Sequence, residues 1–284
     1  MSDEKSLKYN EPWILQRADP YVYRHTDGSY YFTASVPAYD GIVLRRAGTL
    51  AELSGAEEVM VWKKHESGPM SYHIWAPEIH YLFGKWYIYF AGGEAEDIWK
   101  IRPYVLECSG DDPLTDEWVE LGKMKRAAED EFSFEAFSLD ATVFENKGEY
   151  YYVWAEKVGV GKMISNLYIA KMESGNQLKT VQILLTTPDY DWERKGFWVN
   201  EGPAVIHHDG KLFLTYSASE TGVDYCVGML SIDEDADILD PRLWKKERYP
   251  VLKTCEKLGI YGPGHNSFTV DEDGNDVMVY HART

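Results

Sequence analysis

Three acidic residues occupy matching places in repeated segments of the sequence, each at the head of an apolar strand that runs into a turn glycine. Counting back from that glycine by nine residues reaches Asp19 and Glu201, and counting back by eight reaches Asp140. Cleavage of a glycosidic bond uses two carboxyl groups, one that protonates the departing oxygen and one that activates water or attacks carbon. A third acid nearby can raise the pKa of the proton donor by like-charge repulsion. The pattern predicts glycoside hydrolysis and leaves open which acid takes which role.

Trp75 and His265 lie nine residues before their own turn glycines and complete a set of five. Trp75 either caps a packed channel or offers a stacking surface to a sugar. His265 is a hydrogen-bonded structural histidine, a metal ligand or a substrate contact. The acids have a structural interpretation too, since Asp before Pro is common in turns. The shared register favours the functional interpretation, because a purely structural set would not desolvate charge.

The elements that carry these residues are five β-hairpins, each with a strand rich in aromatic and branched residues after the turn. The turn glycines recur at intervals of 56, 64, 62 and 64 residues and are Gly28, Gly84, Gly148, Gly210 and Gly274. An all-β unit that recurs at such a period is typical of a β-propeller, whose blades have about four strands around a central channel. The sequence therefore predicts an all-β, five-bladed β-propeller. The first strand of each blade should line the channel, so that the five heads form a ring.

The segments between the hairpins supply apolar outer strands for four blades. For the fifth blade the sequence offers only two strands, because it stops at Thr284, four residues after the second strand. Half a blade would expose a sheet edge to water. We therefore expect a single catalytic domain over residues 1–284 whose fifth blade is incomplete in this chain, with the remaining strands in a longer protein or in another chain.

Composition and charge exclude some partners and suggest a location. The formal net charge of −18 argues against nucleic acid and against an anionic membrane, because both would repel such a surface. The 21 Tyr and 10 Trp suit both sheet packing and carbohydrate recognition. Three cysteines without metal-like spacing are expected as buried thiols. Residues 1–8 contain no apolar segment, so we expect a cytoplasmic protein.

Five motifs at the strand heads resemble those of glycoside hydrolase family 43, the five-bladed propellers that act on arabinans and xylans. The motifs are Ala18-Asp19-Pro20-Tyr21-Val22, Trp75-Ala76-Pro77-Glu78-Ile79, Ser138-Leu139-Asp140-Ala141, Asn200-Glu201-Gly202-Pro203 and Gly262-Pro263-Gly264-His265-Asn266. The resemblance runs from about Glu11 to the end of the chain. It implies hydrolysis with inversion at the anomeric carbon.

The resemblance also implies a role for each of the three acids. Asp19 matches the general base that activates water, and Glu201 matches the general acid. Asp140 matches a third carboxylate that tunes the pKa of the acid and orients it. In an inverting enzyme the base and the acid are about 6.5–9.5 Å apart, which leaves room for the attacking water.

Three further residues receive roles in the same way. His265 matches a residue that in many members holds a central calcium ion, largely through its water shell, and no organic cofactor is implied. Arg283 matches an arginine that contacts the sugar. Trp75 is similar in placement to a residue that walls the pocket, so the resemblance implies substrate binding for both Trp75 and Arg283.

The amino-acid sequences of the motifs are most similar to those of exo-acting α-L-arabinofuranosidases. This implies the release of terminal α-L-arabinofuranosyl residues from arabinan or arabino-oligosaccharides. A β-xylosidase acting on xylo-oligosaccharides is the alternative within the family. Two alternatives lie outside this family. One is a non-catalytic carbohydrate-binding propeller, since fold does not fix function, and the other is a retaining fructosidase-type propeller. Fructosidase-type propellers usually carry Asn-Asp-Pro-Asn-Gly where this sequence has Ala18-Asp19-Pro20-Tyr21. This difference argues against the fructosidase-type alternative.

Overall fold

The computed structural model describes residues 11–160 and 162–283, and over these ranges the protein is built from β-strands with three short 3-10 helices. The strands in chain order are β1 (Ala18–Arg24), β2 (Tyr30–Ser35), β3 (Gly41–Ala47), β4 (Val59–Lys63), β5 (Tyr72–Leu82), β6 (Lys85–Glu94), β7 (Asp97–Cys108), β8 (Val119–Lys123), β9 (Ser138–Asn146), β10 (Glu149–Val160), β11 (Lys162–Ser174), β12 (Gln177–Leu178), β13 (Ile183–Thr186), β14 (Trp198–His208), β15 (Lys211–Ala218), β16 (Cys226–Asp233), β17 (Lys245–Lys246), β18 (Tyr261–Val270) and β19 (Asp276–Arg283). The helices are Ala51–Ser54, Asp191–Glu193 and Glu256–Leu258. The predicted all-β class is confirmed, and none of the described helices is long and apolar enough to cross a membrane.

Most strands belong to antiparallel four-stranded units that follow the chain. β1 to β4 form the first unit and β5 to β8 the second. The third unit contains β9, β10, β11 and β13, with β12 also paired to β11, and the fourth contains β14 to β17. Within the described residues, the fifth unit consists of β18 and β19.

The third and fourth units are joined into one nine-stranded sheet, whereas the sequence predicted separate blades. The reason is the length of the hairpin formed by β10 and β11, which extends beyond the edge of its own unit. Its far part reaches β14, where Ile164 pairs in parallel with Trp198 and Ser165 with Val199. Glu201 lies on β14 shortly after this junction, so the junction steadies the strand that carries one of the predicted acids.

The first strands of the five units are β1, β5, β9, β14 and β18. In space β1 lies beside β5, β5 beside β9, β9 beside β14, β14 beside β18, and β18 beside β1. This closed series of neighbours places the five strands around a common centre. Residues at the heads of the strands therefore come together although they are far apart in the chain.

The hairpin turns explain why glycine recurs in the sequence. Three hairpins close with two-residue turns in which both residues have positive φ, as type I′ turns require. These turns are Phe83-Gly84, Lys147-Gly148 and Asp209-Gly210. The first and fifth hairpins have longer loops, which contain Gly28 and Gly274 at positive φ. The glycine is thus common to all five hairpins, but the turn length is not.

The core consists of apolar layers between neighbouring units. Separate clusters join the first unit to the second, the second to the third, and the third to the fourth. The fully buried Trp86 and Trp154 are among the largest side chains in these layers. A further cluster around Val22 of the first unit packs against Val277 and Val279 of the fifth. The first four units therefore bury their faces against one another in succession, and the fifth packs against the first, which accounts for much of the aromatic content.

Candidate active site

The heads of the five first strands share a β-bulge that contains one residue in the left-handed conformation. At each bulge the pairing register shifts, and regular pairing with the second strand resumes two residues later. The φ angle lies between 43° and 53° at these bulge positions, which are Asp19, Ala76, Asp140, Gly202 and His265. The bulge therefore defines which residues are structurally equivalent.

The ring predicted from the sequence was wrong at two of its five positions. Trp75 and Glu201 lie one residue before the bulge residues of their strands, whereas Asp19, Asp140 and His265 occupy the bulge position. The physical reason is turn length. The bulge residue lies eight residues before the glycine in the three tight hairpins and nine residues before it in the two longer ones. A constant spacing from the glycine cannot hold when the turns differ.

Asp19 is held by side chains from three other strands. Its Oδ2 accepts a hydrogen bond from the Ser35 hydroxyl at 2.5 Å, and its Oδ1 lies 3.1 Å from Nδ1 of His265. Its backbone N–H donates to Nδ1 of His281 at 3.0 Å. These contacts fix the carboxylate at the head of β1.

Asp140 and Glu201 approach the same region from β9 and β14. Oδ2 of Asp140 lies 3.6 Å from Nδ1 of His265 and accepts a hydrogen bond from the backbone N–H of Gly202 at 3.2 Å. Gly202 directly follows Glu201, whose Oε1 accepts a hydrogen bond from the Tyr225 hydroxyl at 2.8 Å. The structure thus brings the three predicted acids and His265 together from four different strands.

The three carboxyl groups differ in pKa. Burial alone would raise the pKa of Asp19, but the charge of His265 and the hydrogen bond from the Ser35 hydroxyl help to lower it well below its usual range. Burial raises the pKa of Asp140 well above its usual range, and the charge of Asp19 adds to this. Burial, with a further contribution from the charge of Asp140, raises the pKa of Glu201 to about 7. Asp19 is therefore held ionised, while Asp140 and Glu201 hold their protons to higher pH than ordinary carboxyl groups do, and such a separation is typical of a base and an acid.

Trp75 and Arg283, the two predicted substrate-binding residues, lie differently with respect to the acids. Half-buried Trp75 packs against the small cluster that contains Leu139, at the head of β9. Arg283 is exposed at the end of β19, and its guanidinium donates to the backbone carbonyl of Thr221 at 2.8 Å. Trp75 therefore flanks the acids, whereas the sugar contact by Arg283 stays a prediction.

Sequence reasoning missed three residues that touch the acids, namely Ser35, Tyr225 and His281. Ser35 and His281 lie on the second strands of their hairpins, paired with Ala18 and Gly264 at the bulges. Cross-strand pairing in the predicted hairpins could have found both of them, because facing residues share one side of a sheet. Tyr225 lies in the segment before β16, where no repeat marks it.

A second buried polar group lies close to the acids and was also missed. Oε2 of Glu78 lies 2.9 Å from Nε2 of His80, and Nδ1 of His80 lies 3.2 Å from the Tyr21 hydroxyl. Burial raises the pKa of Glu78 to about 8 and lowers the pKa of His80 to about 3. At neutral pH His80 is therefore uncharged and Glu78 is largely protonated, so the pair adds little net charge near the acids.

The described side chains do not fit a directly bound calcium ion. Calcium takes six to eight oxygen ligands in proteins, and residues 11–160 and 162–283 contain no group of three or more His, Cys, Asp or Glu arranged to hold a metal. Nδ1 of His265 already faces Asp19 and Asp140. A calcium ion held by His265 through water stays a prediction from the resemblance.

A buried group of polar side chains centred on Glu193, which we call the hub, fixes the segment that leads into Glu201. The carboxylate of Glu193 is fully buried, and its Oε1 accepts hydrogen bonds from the Tyr216 hydroxyl at 2.9 Å and from Nδ2 of Asn200 at 3.0 Å. Nζ of Lys246 lies 2.8 Å from the same oxygen. Asn200 directly precedes Glu201, so the hub ties the acid's strand to β15 and β17.

Replacing Lys246 with Met is expected to lower the free energy of unfolding by about 3–5 kcal/mol, because it leaves a buried carboxylate without its cation. Urea denaturation followed by tryptophan fluorescence measures the loss. Lys245→Met is the matched control, since Lys245 is exposed and its loss should change stability by about 0.5 kcal/mol or less. A loss in Lys246→Met no larger than that in Lys245→Met would show that the ion pair between Lys246 and Glu193 does not stabilise the fold.

Known proteins resemble this chain along nearly all of its length. The chain is 50% identical over 279 residues to a Streptomyces avermitilis protein named extracellular exo-α-(1→5)-L-arabinofuranosidase, a match that covers 98% of this chain and 57% of that protein. It is 49% identical over 276 residues to a protein of the same name from Streptomyces chartreusis, with 97% of this chain and 82% of that protein covered. The chain thus spans little more than half the length of the first of these relatives.

The cytoplasmic location predicted from the sequence is contradicted by these relatives, because both are named extracellular. The prediction was wrong in its premises. A stretch of eight residues says nothing about segments outside it, and buried thiols such as Cys108 and Cys226 are inert wherever the protein works.

A solved structure and a family model agree with these relatives. The crystal structure of an α-L-arabinofuranosidase from Lactobacillus brevis matches with a TM-score of 0.90 at 51% sequence identity, covering 97% of this chain and 86% of that one. The model for glycosyl hydrolases family 43 matches residues 9–284, a range that includes all five strand-head motifs. The resemblance seen in those motifs is confirmed, and the chain belongs to glycosyl hydrolases family 43.

Proposed function

We propose that the chain is the catalytic domain of an exo-acting α-L-arabinofuranosidase that releases terminal arabinofuranosyl residues from arabinan or arabino-oligosaccharides with inversion. The observation that carries the proposal is the meeting of Asp19 and Asp140 at His265, with Glu201 beside them. The names of the two Streptomyces relatives and of the Lactobacillus brevis structure support the choice of sugar. The Streptomyces names also favour action outside the cell.

In the proposed reaction, Asp19 takes a proton from water as the water oxygen attacks the anomeric carbon. Glu201 gives its proton to the departing glycosidic oxygen on the opposite side of the sugar. Asp140 repels Glu201 when both are ionised, so the pair retains a proton for the leaving group at neutral pH. His265 holds the low pKa of Asp19 and thereby keeps the base ionised.

The same proposal includes the architecture that holds these groups. The five first strands line the centre of a five-bladed propeller formed by residues 1–284 as a single domain, with a fifth blade that has two strands in this chain. The closed series of neighbouring first strands supports this arrangement, as do the apolar layers between successive units. The two complete four-stranded sheets support it as well.

Turnover of 4-nitrophenyl α-L-arabinofuranoside and 4-nitrophenyl β-D-xylopyranoside, measured side by side, tests the substrate. We expect the arabinoside to be cleaved faster. Preference for the xyloside would keep the mechanism and replace the sugar, and inertness towards both would favour a carbohydrate-binding propeller. NMR of the first-formed anomer of the released sugar tests inversion.

The pKa values predict how activity depends on pH. Because Glu201 has to be protonated to act as the acid, kcat/KM should fall as the pH rises through about 7. Because the pKa of Asp19 is lowered, the base stays ionised well below neutral pH, and activity should remain on a plateau on the acidic side. A pH profile of kcat/KM on the aryl arabinofuranoside measures both limbs.

Removal of the Tyr225 hydroxyl tests whether Glu201 is the group whose ionisation causes the fall of kcat/KM at high pH, which is the descending limb of the pH profile. The hydrogen bond from Tyr225 lowers the pKa of Glu201, so Tyr225→Phe should move the midpoint of the descending limb to higher pH. Tyr249→Phe is the matched control, because Tyr249 is 71% exposed and should leave the midpoint in place. An unchanged midpoint in Tyr225→Phe would mean that another group limits activity at high pH.

A further inference from the structure

The bulges of the first strands make a repeated contact between neighbouring units that the proposed mechanism does not use. Among the described residues, four of the five bulge residues donate their backbone N–H to a side chain of the preceding unit, where the fifth unit precedes the first. These hydrogen bonds, which we call the latches, run from Ala76 to Oγ of Ser35 at 2.8 Å, from Gly202 to Oδ2 of Asp140 at 3.2 Å, from His265 to Oγ of Ser217 at 2.6 Å and from Asp19 to Nδ1 of His281 at 3.0 Å. The latches therefore join four strand heads to the units beside them.

Three of the four accepting side chains occupy the same place in their units. Ser35, Ser217 and His281 lie on second strands, each opposite the residue that directly precedes the bulge. Ala91 and Ala155 occupy this place in the second and third units, and their methyl groups cannot accept a hydrogen bond. Because a buried polar group costs free energy unless it is hydrogen-bonded, polar side chains that recur here with the same contact indicate a repeated structural device.

The latch of His281 differs from the others because it closes the series of units at the proposed base. It joins β19 to β1, across 262 positions of the chain, and its donor is the backbone of Asp19. Nδ1 needs a free lone pair to accept this hydrogen bond, so the proton of the neutral imidazole lies on Nε2. The imidazole also stacks on the ring of Tyr225, with centroids 5.8 Å apart and planes 16° apart, and the Tyr225 hydroxyl donates to Glu201. His281 therefore contacts the base directly and the acid through Tyr225.

Other contacts hold the fifth unit to the first away from the acids. The Ser267 hydroxyl donates to the backbone carbonyl of Pro20 at 2.8 Å, and the Tyr30 hydroxyl donates to that of Val270 at 2.9 Å. The apolar cluster around Val22 also joins the two units. Loss of the His281 latch should therefore shift the head of β1 without separating the units.

We propose that His281 is a positioning residue, which sets the place of the base Asp19 relative to the acid Glu201 by accepting the Asp19 N–H through Nδ1. The inference rests on the proposed function, in which the base and the acid act on opposite sides of one sugar. Ser35 and His265 hold the carboxylate of Asp19, and the latch holds its backbone. Since a misplacement of about 1 Å can cost about 10²-fold in rate, the backbone contact should matter for turnover.

Two substitutions of His281 separate its hydrogen bond from its stacking contact. His281→Phe keeps a planar ring against Tyr225 and removes the acceptor, whereas His281→Asn keeps an acceptor and removes the ring. On aryl arabinofuranosides, His281→Phe should lower kcat by about 10–10²-fold with KM nearly unchanged. The factor should be the same for phenols of differing acidity, because the defect lies in the base. His281→Asn should keep most of the wild-type kcat.

Hydrogen exchange of the Asp19 amide, followed by NMR, tests the latch without turnover. Exchange should be about tenfold faster in His281→Phe than in the wild type, because the amide loses its acceptor, and His281→Asn should restore the slow rate. His208→Phe is the matched control, since Nδ1 of His208 joins the fourth unit to the fifth at an exposed place, 3.1 Å from Oδ2 of Asp276. It should change neither kcat nor the exchange of the Asp19 amide.

The outcomes separate the latch from the proposed function. Unchanged exchange of the Asp19 amide in His281→Phe would overturn the latch, even where the wild type cleaves arabinofuranosides. Faster exchange with an unchanged kcat would overturn the positioning role, and equal losses of kcat in His281→Phe and His281→Asn would overturn the role of the hydrogen bond. A wild type that cleaves no arabinofuranoside would overturn the proposed function, and the exchange rates alone would then decide the latch.

Discussion

Glu201→Gln is expected to lower turnover of unactivated arabinofuranosides by about 10²–10⁴-fold, the contribution typical of a positioned general acid. The amide has nearly the same shape and can still accept the hydrogen bond from Tyr225 that the carboxylate accepts. It has no proton of suitable pKa to give to the departing oxygen. The loss should therefore shrink as the leaving group becomes a better one, because an acidic phenol departs without protonation.

Rates on a series of aryl arabinofuranosides with phenols of increasing acidity measure this dependence. The variant should depend steeply on phenol pKa, and the wild type only weakly. Glu173→Gln is the matched control, since it makes the same chemical change at an exposed position on β11. A uniform loss across the series would assign Glu201 a role other than proton donation.

Asp19→Asn is expected to lower turnover by about 10²–10⁴-fold for every leaving group alike. The substitution removes the base that accepts the proton of water, and this step is needed however easily the phenol departs. It also removes the negative charge that faces His265, so part of the loss reflects a changed environment for that histidine. The two variants should thus differ in the shape of the series more than in the size of the loss.

The same aryl series, with thermal denaturation as a check on folding, distinguishes the two roles. Asp209→Asn is the control, because Asp209 is exposed and lies in the two-residue turn between β14 and β15. Asn tolerates the positive φ of that position, so the control should match the wild type in rate and in melting temperature. Recovery of activity in Asp19→Asn with good leaving groups would reverse the assignments of base and acid.

The recurring hairpin could be recognised from the sequence because it depends on local chemistry. A type I′ turn needs positive φ at both central residues, and glycine adopts it without steric cost. Glycine therefore marks the three tight turns, and it also marks the two longer loops, where Gly28 and Gly274 have positive φ. The apolar strands before and after the glycine follow a fixed pattern. The members of the acidic group, Asp19, Asp140 and Glu201, were found through that pattern alone.

The register of the five strand heads could not be read so directly. Turn length shifts the bulge by one residue relative to the glycine, so Trp75 and Glu201 were placed in a ring that the bulge residues Ala76 and Gly202 occupy. The error left the list of candidates intact, because the side chain next to a bulge still lies at the head of its strand. It did hide the fact that Trp75 and Glu201 occupy equivalent positions, because each directly precedes the bulge residue of its strand.

The sequence by itself determined the all-β class, the repeated hairpins and the acids that meet at their heads, since these follow from residue type and spacing along the chain. Only the tertiary structure decided what surrounds those acids. His281 and Tyr225 reach Asp19 and Glu201 from segments distant in sequence, and burial separates the pKa values of the carboxyl groups. Burial, charge and contact depend on which segments pack together, and no local pattern records that.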